Sequence, residues 1–456
     1  MNQIDTIAAV ATPLGSGAVG IVRLSGAQAL RIAQACFVSG SGKRLEDMPG
    51  YTALLGRIVG ETGEIDEAIL TVFRAPKSYT GEDCVELSCH GGTYVLQEVL
   101  AACVKQGARP AMPGEFTRRA FLNGKLNLVQ AEAVCDLIAA QGEGARRAAL
   151  ASRDGALSTE IEFFVESLAA QSAHLAAWAD YPEEDLAPVD PSALSIVLRR
   201  LADRMDALLS TYSRGRLLRE GIETAIVGKP NVGKSSLMNL LAGARRSIVA
   251  ALPGTTRDIV RESVRVGEYI LHLMDTAGIR DTKDPVESQG VSLARERMKS
   301  AQLVLAVFDS SDVLEEEDRG ILGELADQNV ILVVNKSDLP RRLQLEEIRE
   351  QFSRVVHVSA QTGEGREELE KEIIELLQLD TLDAGAALLA NSRQQHAVQS
   401  ARNALEEAIE ALQAGMTLDA VNVCIDDTLE QLLTITGQRA SDKVVDEVFA
   451  RFCVGK

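Results

Sequence analysis

The sequence predicts a multidomain chain in which an α+β domain comes first and an α/β domain is inserted into a helical domain. Two observations on the 456 residues predict it. Short strand-like runs with Gly and Pro between them fill the first part, and helical periodicity lies on both sides of a middle part of α/β pattern. We expect domains at residues 1–119, 120–216, 217–378 and 379–456, the second and fourth forming one discontinuous helical domain.

The first domain is expected to be α+β because its apolar runs are short and bounded by turn residues. Strands are predicted at residues 5–11, 20–24, 69–73 and 84–90. From about residue 120 apolar residues recur at helical spacing, and an acidic, proline-containing stretch at 183–191 separates this helix from a second one that runs to about residue 219. Helical character resumes at about residue 391 and continues almost to residue 456.

The most informative segment is residues 228–235, Gly-Lys-Pro-Asn-Val-Gly-Lys-Ser, which lies between a strand-like run and a helix-like run. This is the order of a phosphate-binding loop. The two glycines let backbone N–H groups curl around a β-phosphate. Lys234 can reach the β- and γ-phosphates, and Ser235 is suited to Mg²⁺. The predicted contacts are Asn231, Val232, Gly233, Lys234, Ser235 and Ser236, with Lys234 also catalytic.

Further segments follow in the order that a GTPase requires. They hold Thr255 and Thr256; then Asp275, Thr276, Ala277 and Gly278; then Asn335, Lys336 and Asp338; and last Ser359 and Ala360. Thr256 is the candidate switch threonine that closes on Mg²⁺, and Asp275 would lie beside that ion. Asp338 can accept two hydrogen bonds from the N1–H and N2–H₂ edge of guanine, a pair of donors that adenine lacks. The Ser359–Ala360 backbone is placed to donate to the guanine O6. The set predicts GTP binding and hydrolysis.

The position after Asp-Thr-Ala-Gly carries Ile279, where Ras-like proteins have a glutamine that orients the attacking water. An aliphatic side chain cannot orient water, so hydrolysis is either very slow or depends on another group. Asn231 could ligate a monovalent cation beside the phosphates, and Glu287 could position water. The residues alone favour an ordinary solvated acid at Glu287.

Composition indicates a globular, cytoplasmic protein. The chain is 46% apolar and 25% charged, with seven scattered cysteines that show no metal-ligand pairing. We expect no membrane span and no signal peptide. A net charge of −19 argues against indiscriminate nucleic-acid binding. Five basic residues lie close together in the sequence and leave two interpretations open, a local basic surface or a solvated face: Lys105, Arg109, Arg118, Arg119 and Lys125.

Several segments outside these motifs resemble those of the bacterial MnmE (TrmE) family of tRNA-modification GTPases. They are residues 78–83 (Ser-Tyr-Thr-Gly-Glu-Asp), 89–92 (Cys-His-Gly-Gly), 113–117 (Pro-Gly-Glu-Phe-Thr), 119–125 (Arg-Ala-Phe-Leu-Asn-Gly-Lys), 130–133 (Gln-Ala-Glu-Ala) and 452–456 (Phe-Cys-Val-Gly-Lys). The resemblance covers essentially the whole chain. Met112 and Asn127 depart from the family pattern.

The resemblance implies a Ras-like GTPase domain, a tetrahydrofolate-binding-like N-terminal domain and a homodimer through it. It also implies a partner, MnmG (GidA), in a heterotetramer or larger complex. Together the two proteins would add an aminomethyl or carboxymethylaminomethyl group to C5 of the wobble uridine of tRNA. The one-carbon donor would be 5-formyltetrahydrofolate or a related folate.

Site residues follow from the same resemblance. For potassium they are Asn231, Ala250, Leu252 and Thr255; for the water-orienting acid Glu287; and for the folate Arg23, Glu86, Lys125 and Lys456. Cations suit the glutamate tail of a folate, and a carboxylate suits the N–H edge of the pterin. Cys453 has two interpretations, a small packed residue between apolar neighbours or a thiol with a catalytic role.

Two other classes of function were weighed. A ribosome-assembly GTPase would carry an appended basic RNA-binding domain, which the acidic balance disfavours. A signalling switch would need neither a folate-binding-like domain nor a cysteine in the last segment.

Overall fold

The computed structural model describes residues 5–13, 15–40, 42–180, 189–243, 262–275, 299–325, 328–344, 348, 351–377 and 385–456. The side chains of residues 179, 180 and 275 are outside this description. Contacts divide the chain into two compact units. The first comprises Met1–Cys135, Ser158–Ile196 and Ser400–Lys456, and the second comprises Asp136–Leu157 and Val197–Gln399.

Among the described residues, the strands run in chain order as β1 (Ile7–Val10), β2 (Gly17–Ser25), β3 (Phe37–Ser39), β4 (Thr52–Gly60), β5 (Gly63–Phe73), β6 (Cys84–Gly91), β7 (Arg109–Pro110), β8 (Ile222–Val227), β9 (Glu262–Val266), β10 (Tyr269–Asp275), β11 (Leu303–Asp309), β12 (Val330–Asn335) and β13 (Val355–His357).

The helices of the same residues are α1 (Ala29–Cys36), α2 (Thr93–Lys105), α3 (Glu115–Leu122), α4 (Leu128–Ala139), α5 (Glu143–Arg153), α6 (Ala156–Asp180), α7 (Pro191–Ser210), α8 (Tyr212–Glu220), α9 (Lys234–Ala242), α10 (Glu316–Glu324), α11 (Arg366–Leu376), α12 (Ser392–Gln413), α13 (Leu418–Thr436) and α14 (Asp442–Phe449). A 3-10 turn lies at Leu45–Asp47.

The first unit contains a seven-stranded sheet of order β3-β4-β5-β6-β2-β1-β7. Its neighbours are antiparallel except for β1 and β7, which run parallel. Alternate side chains of the strands and the inner faces of α1 and α2 form one core, which includes Val22, Leu24, Leu70 and Leu87. The predicted strands in this region are confirmed, with β2 and β5 extending further toward their N-terminal ends than expected.

The strand β4 was not predicted, because its sequence, Thr-Ala-Leu-Leu-Gly-Arg-Ile-Val-Gly, does not alternate between apolar and polar residues. It leaves Leu55 61% exposed, beside its cross-strand partner Ile69, which is 49% exposed. Val19 on β2 is also 61% exposed. These three residues form what we call the apolar sheet face.

A second core of this unit forms where the last helix packs near α3 and α4. Leu128, Val445, Val448 and Phe449 are buried there together with Phe452. The single long helical region predicted after residue 391 is divided into α12, α13 and α14, since Gly415 and Gly437 adopt left-handed backbone angles that end a helix.

The five basic residues left open by the sequence do not form a basic surface, because four of them pair with acids. The partners are Glu61 for Lys105, Asp5 and Glu115 for Arg109, Asp446 for Arg118, and Asp5 and Glu82 for Arg119. Arg119 is only 8% exposed, so neither interpretation describes it. It joins α3 to Asp5, which precedes β1, and to Glu82 in the loop 78–83.

The second unit contains a six-stranded sheet of order β13-β12-β11-β8-β10-β9, parallel except for the antiparallel pair β9–β10. Its central strands β11 and β12 are buried on both faces, as parallel strands covered by helices are. The strands β8, β10, β12 and β13 confirm the strand-like runs that were predicted before the motifs. In such a sheet, ligands bind at the carboxyl ends of the strands.

The helix α5 packs against the turn of the β9–β10 hairpin within this unit. The Gly144 backbone N–H donates to the Glu268 carbonyl oxygen at 3.1 Å, and Arg147 pairs with the Glu268 carboxylate at 2.6 Å. A methyl group on Gly144 would lie 2.8 Å from that carbonyl oxygen, so the approach requires glycine. Helix and hairpin are joined by backbone and side chain together.

Across the ranges given above, no helix has both the length and the apolar character needed to span a bilayer.

Candidate functional site

The phosphate loop connects β8 to α9. Gly228 and Gly233 have φ angles of 147° and 96°, which favour glycine, and Asn231 adopts a left-handed φ of 66°. A methyl group on Gly228 would lie 2.3 Å from the Val307 carbonyl oxygen, and one on Gly233 would lie 2.1 Å from Nδ2 of Asn335. The loop therefore needs both glycines for conformation and for space.

The loop borders a cavity of about 500 Å³ at the carboxyl ends of the strands. Its lining residues are Pro230, Asn231, Gly233, Lys234, Ser235, Ser236 and Lys336. Lys234 Nζ donates to the carbonyl oxygens of Gly228 and Lys229 at 2.7 and 2.8 Å, so the ammonium lies over the loop's own backbone. A ligand that offers phosphate oxygens would meet this ammonium and the first N–H groups of α9.

Lys229 anchors the loop from its other side. Its Nζ lies 2.9 Å from Glu315 and 2.8 Å from Asp318, at the start of α10. Burial lowers the pKa of Lys229, but hydrogen bonds from the two carboxylates outweigh burial and hold that pKa above its ordinary value. Sequence reasoning missed this triad, because the acids lie 86 or more positions away from the lysine.

Asn335 joins the phosphate loop to the last loop of the site. Its side chain is 1% exposed, donates to the Val232 carbonyl oxygen at 2.8 Å and accepts the Ala360 N–H at 3.0 Å. The Ala360 N–H is thus used inside the protein, and its predicted contact with guanine O6 stays a prediction. Asp338 is exposed, and its Oδ1 accepts the Ser359 hydroxyl at 2.6 Å.

Lys336 follows β12 and adopts a left-handed φ of 60°. Its Nζ lies 2.6 Å from Oδ2 of Asp309, the last residue of β11. Burial raises the pKa of Asp309, but the bonds from Lys336 and Ser311 outweigh burial and hold that pKa below its ordinary value. The sequence carried one signal for this residue, an acid that ends a fully apolar strand.

The predicted Mg²⁺ ligand Ser235 is exposed at the start of α9 and borders the cavity. The backbone of Asp275 ends β10 at the register position of Ile226, beside the strand that leads into the phosphate loop. A serine hydroxyl at the start of α9 and a carboxylate residue at the end of β10 are the kinds of oxygen ligand that Mg²⁺ takes. Other predicted residues fall in parts of the chain that the structure does not describe: Ala250, Leu252, Thr255, Thr256, Thr276, Ala277, Gly278 and Glu287.

A second group of predicted residues meets in the first unit. Arg23 pairs with Glu86 at 2.8 Å and donates to the Gly455 carbonyl oxygen at 3.2 Å. The aromatic rings of Tyr79 and Phe116 lie 5.8 and 5.7 Å from its guanidinium carbon, a cation–π arrangement that the sequence did not predict.

Lys456 belongs to the same group. Burial, and then the positive charge of Arg23, hold the pKa of Lys456 below its ordinary value, although Glu86 opposes the shift. The charges of Arg23, Glu86 and Lys456 thus act on one another, although only Arg23 and Glu86 form an ion pair. Lys125 does not join them by a direct bond, since its Nζ donates to the Pro76 carbonyl oxygen at 3.1 Å.

Cys453 precedes this group in the chain, and its side chain is exposed while Phe452 is buried. Its carbonyl oxygen accepts the Gly114 N–H at 3.3 Å, which holds the segment against the start of α3. The exposure of the Cys453 side chain therefore does not support the packing interpretation.

The second unit thus has a mostly parallel sheet with a phosphate loop after β8 and a carboxylate residue ending β10. An Asn-Lys-Ser-Asp segment begins at the end of β12, and a Ser-Ala loop follows β13. This order defines a P-loop GTPase domain.

Comparisons with known proteins narrow this class to one family. Residues 6–125 match the family described as GTP-binding protein TrmE N-terminus, and residues 128–453 match the MnmE helical domain. The chain is 43% identical to the tRNA modification GTPase MnmE of Geobacillus kaustophilus over the full length of both proteins. It is 42% identical to that of Geobacter sulfurreducens over 99% of each. Among solved structures, the G domain of the T. maritima FeoB iron transporter is 30% identical, with a TM-score of 0.27, covering 34% of this chain and 98% of that one.

The chain belongs to the MnmE family of tRNA modification GTPases. The predicted fold class, with a GTPase domain inserted in a helical domain, is confirmed.

Proposed function

We propose that this protein hydrolyses GTP when potassium is bound and two GTPase domains meet, and that hydrolysis serves the modification of the wobble uridine of tRNA. The observation that carries the proposal is the position of Asn231, exposed in the phosphate loop and bordering the same cavity as Lys234 and Ser235. A side-chain carbonyl at this position can ligate a cation beside the phosphates. Such a cation supplies positive charge beside the phosphates in the transition state, while the water-orienting task that Ile279 cannot perform falls to Glu287.

In the proposed site, Lys234 and the phosphate loop hold the β- and γ-phosphates, and Asp338 reads guanine. Ser235 and Thr256 would hold Mg²⁺, and the backbone at Ala250, Leu252 and Thr255 would complete the potassium site with Asn231. Glu287 would orient the attacking water. Each protein group has one task, either binding, neutralising charge or positioning water.

Potassium should raise the turnover number at least about tenfold over an equal concentration of sodium, because the larger ion suits a site of several oxygens beside the phosphates.

Glu287→Ala should lower kcat by at least about tenfold with little change in nucleotide affinity. Phosphate release from the full chain in the two salts measures both effects.

Asp284→Ala, an acid of the same segment, serves as the control for Glu287. Equal rates in potassium and sodium would contradict the cation site. A Glu287→Ala protein as active as the Asp284→Ala protein would return Glu287 to the solvated acid that its sequence context first indicated.

We further propose that the first unit binds 5-formyltetrahydrofolate or a related folate. Arg23 and Lys456 supply the positive charge that the glutamate tail requires, and Glu86 supplies the acceptor for the pterin edge. Lys125 is assigned to the folate site on the family resemblance alone. The apolar sheet face of the same unit, Val19, Leu55 and Ile69, supports the expected homodimer, since exposed apolar patches mark protein contacts.

Arg23→Gln should weaken folate binding by about tenfold or more, since a charge-assisted hydrogen bond is removed, while GTP hydrolysis stays at the parental rate. Titration calorimetry with 5-formyltetrahydrofolate measures the affinity. Arg57→Gln is the matched control, because Arg57 also pairs with an acid, Glu64, but on a more exposed part of the sheet. An equal folate affinity in both variants would remove Arg23 from the site.

The partners complete the proposal. We expect MnmG to join the homodimer in a heterotetramer or larger complex on tRNA in the cytoplasm. Family membership over the whole chain favours this function over ribosome assembly or signalling.

A further inference from the structure

The ion pair between Lys336 and Asp309 lies beside the cavity, and the proposed function gives Asp309 no task. Lys336 borders the cavity together with the phosphate loop. Its side chain is 34% exposed and that of Asp309 is 13% exposed, so the carboxylate is the more buried partner of the pair. Asp309 thus holds the ammonium of a lysine that lines the cavity.

Asp309 uses its two oxygens for two tasks. Oδ1 accepts the backbone N–H and the hydroxyl of Ser311, at 2.8 and 2.7 Å, and so shapes the turn after β11. Oδ2 accepts Lys336 Nζ at 2.6 Å. The two strand ends are also tied directly, because the Ser310 N–H donates to the Asn335 carbonyl oxygen at 2.8 Å.

We propose that Asp309 is a positioning residue for nucleotide recognition, because it holds the Lys336 side chain as a preformed wall of the nucleotide cavity. A free lysine side chain loses rotamer freedom when it is ordered, which costs binding free energy. Here the ion pair orders it before any ligand arrives, and preorganisation of this kind raises affinity by removing an ordering cost.

The left-handed backbone of Lys336 makes this anchoring more important. A non-glycine residue at φ 60° is in a sparsely populated conformation, which the surrounding bonds must maintain. The bond from the Lys336 ammonium to Asp309 is one of these. The inference rests on the proposed nucleotide site and adds to it a residue that does not touch the base.

The substitution Asp309→Asn separates the two tasks of the carboxylate. Asparagine keeps a side-chain oxygen for the Ser311 turn, but it loses the charge that holds Lys336. We expect the Kd of a fluorescent GDP or GTP analogue to rise about tenfold, mostly through faster dissociation, with kcat at saturating GTP changed less than about twofold. Stopped-flow fluorescence and phosphate release on the full chain provide these values.

Asp312→Asn is the matched control, since Asp312 lies in the same turn and is exposed. It should bind nucleotide as the parent does. Lys336→Met removes the other half of the pair. The double variant Asp309→Asn/Lys336→Met should bind nucleotide no more weakly than the weaker of the two single variants. GTP and ITP should lose affinity by the same factor in Asp309→Asn, because a wall, unlike an edge-reading group, does not sense the 2-amino group.

Parental nucleotide affinity in Asp309→Asn would overturn the inference and leave the residue a turn former. Additive losses in the double variant would overturn it as well. The proposed site is tested separately by Asp338: if Asp338→Asn changes base preference while Asp309→Asn is silent, the site stands and only the positioning role falls.

Discussion

Asp338→Asn should lower GTP affinity by about a hundredfold or more and raise the affinity for XTP. In the proposed site the Asp338 carboxylate would accept two hydrogen bonds from guanine, whereas an amide would bring a donor to one of those positions and meet the guanine N–H groups unfavourably. Xanthine has a carbonyl oxygen in place of the 2-amino group and suits that donor. Displacement of a bound fluorescent analogue by GTP and, separately, by XTP gives both affinities.

Ser359→Ala provides a graded comparison. The Ser359 hydroxyl donates to Asp338 Oδ1 at 2.6 Å, so its removal loosens the carboxylate without changing its charge. We expect a loss of GTP affinity of about tenfold or less and no gain for XTP. If Asp338→Asn binds GTP as well as the parent, the residue does not read the base.

Cys453→Ser should leave GTP hydrolysis and dimerisation intact while reducing wobble-uridine modification to background in the presence of MnmG. The thiol is exposed, and the backbone of its segment is held by Gly114, so an isosteric hydroxyl should not disturb the fold. A hydroxyl is a much weaker nucleophile than a thiolate near neutral pH. Mass spectrometry of tRNA nucleosides, run beside a phosphate-release assay, measures both activities.

Cys424→Ser is the control, since Cys424 is a half-buried thiol on α13. Modification at the parental rate by the Cys453→Ser protein would exclude a chemical role for this thiol. Loss of hydrolysis together with modification would instead place the defect in the GTPase.

The sequence predicted the second unit more completely than the first, for a physical reason. In the GTPase domain each functional side chain follows its own apolar strand, so local pattern and parallel topology together bring Lys234, Asn335 and Ser359 to one edge. The lysine that closes over the loop and the asparagine that joins two loops could both be named from the chain alone. Only their bonds required the structure.

Contacts between distant positions could not be predicted in this way. Arg23 meets Gly455 across 432 positions, and Asp309 meets Lys336 across 27, with no shared local pattern. Arg119 was weighed only as part of a surface because sequence gives no sign that Asp5 and Glu82 would bury it. The domain boundaries at 119, 216 and 378 stay predictions.

The β9–β10 hairpin has a mechanical consequence. Its first strand begins at Glu262, just after the segment that holds Thr256, and its second strand ends at Asp275. The two segments that are predicted to sense the nucleotide therefore attach to the same end of one ribbon about 16 Å long. The other end is clamped to α5 through Glu268. A tilt of such a lever moves its two ends together. Any strain that arose beside a bound γ-phosphate would therefore reach α5, which precedes the proposed GTPase domain in the chain and does not line the nucleotide cavity.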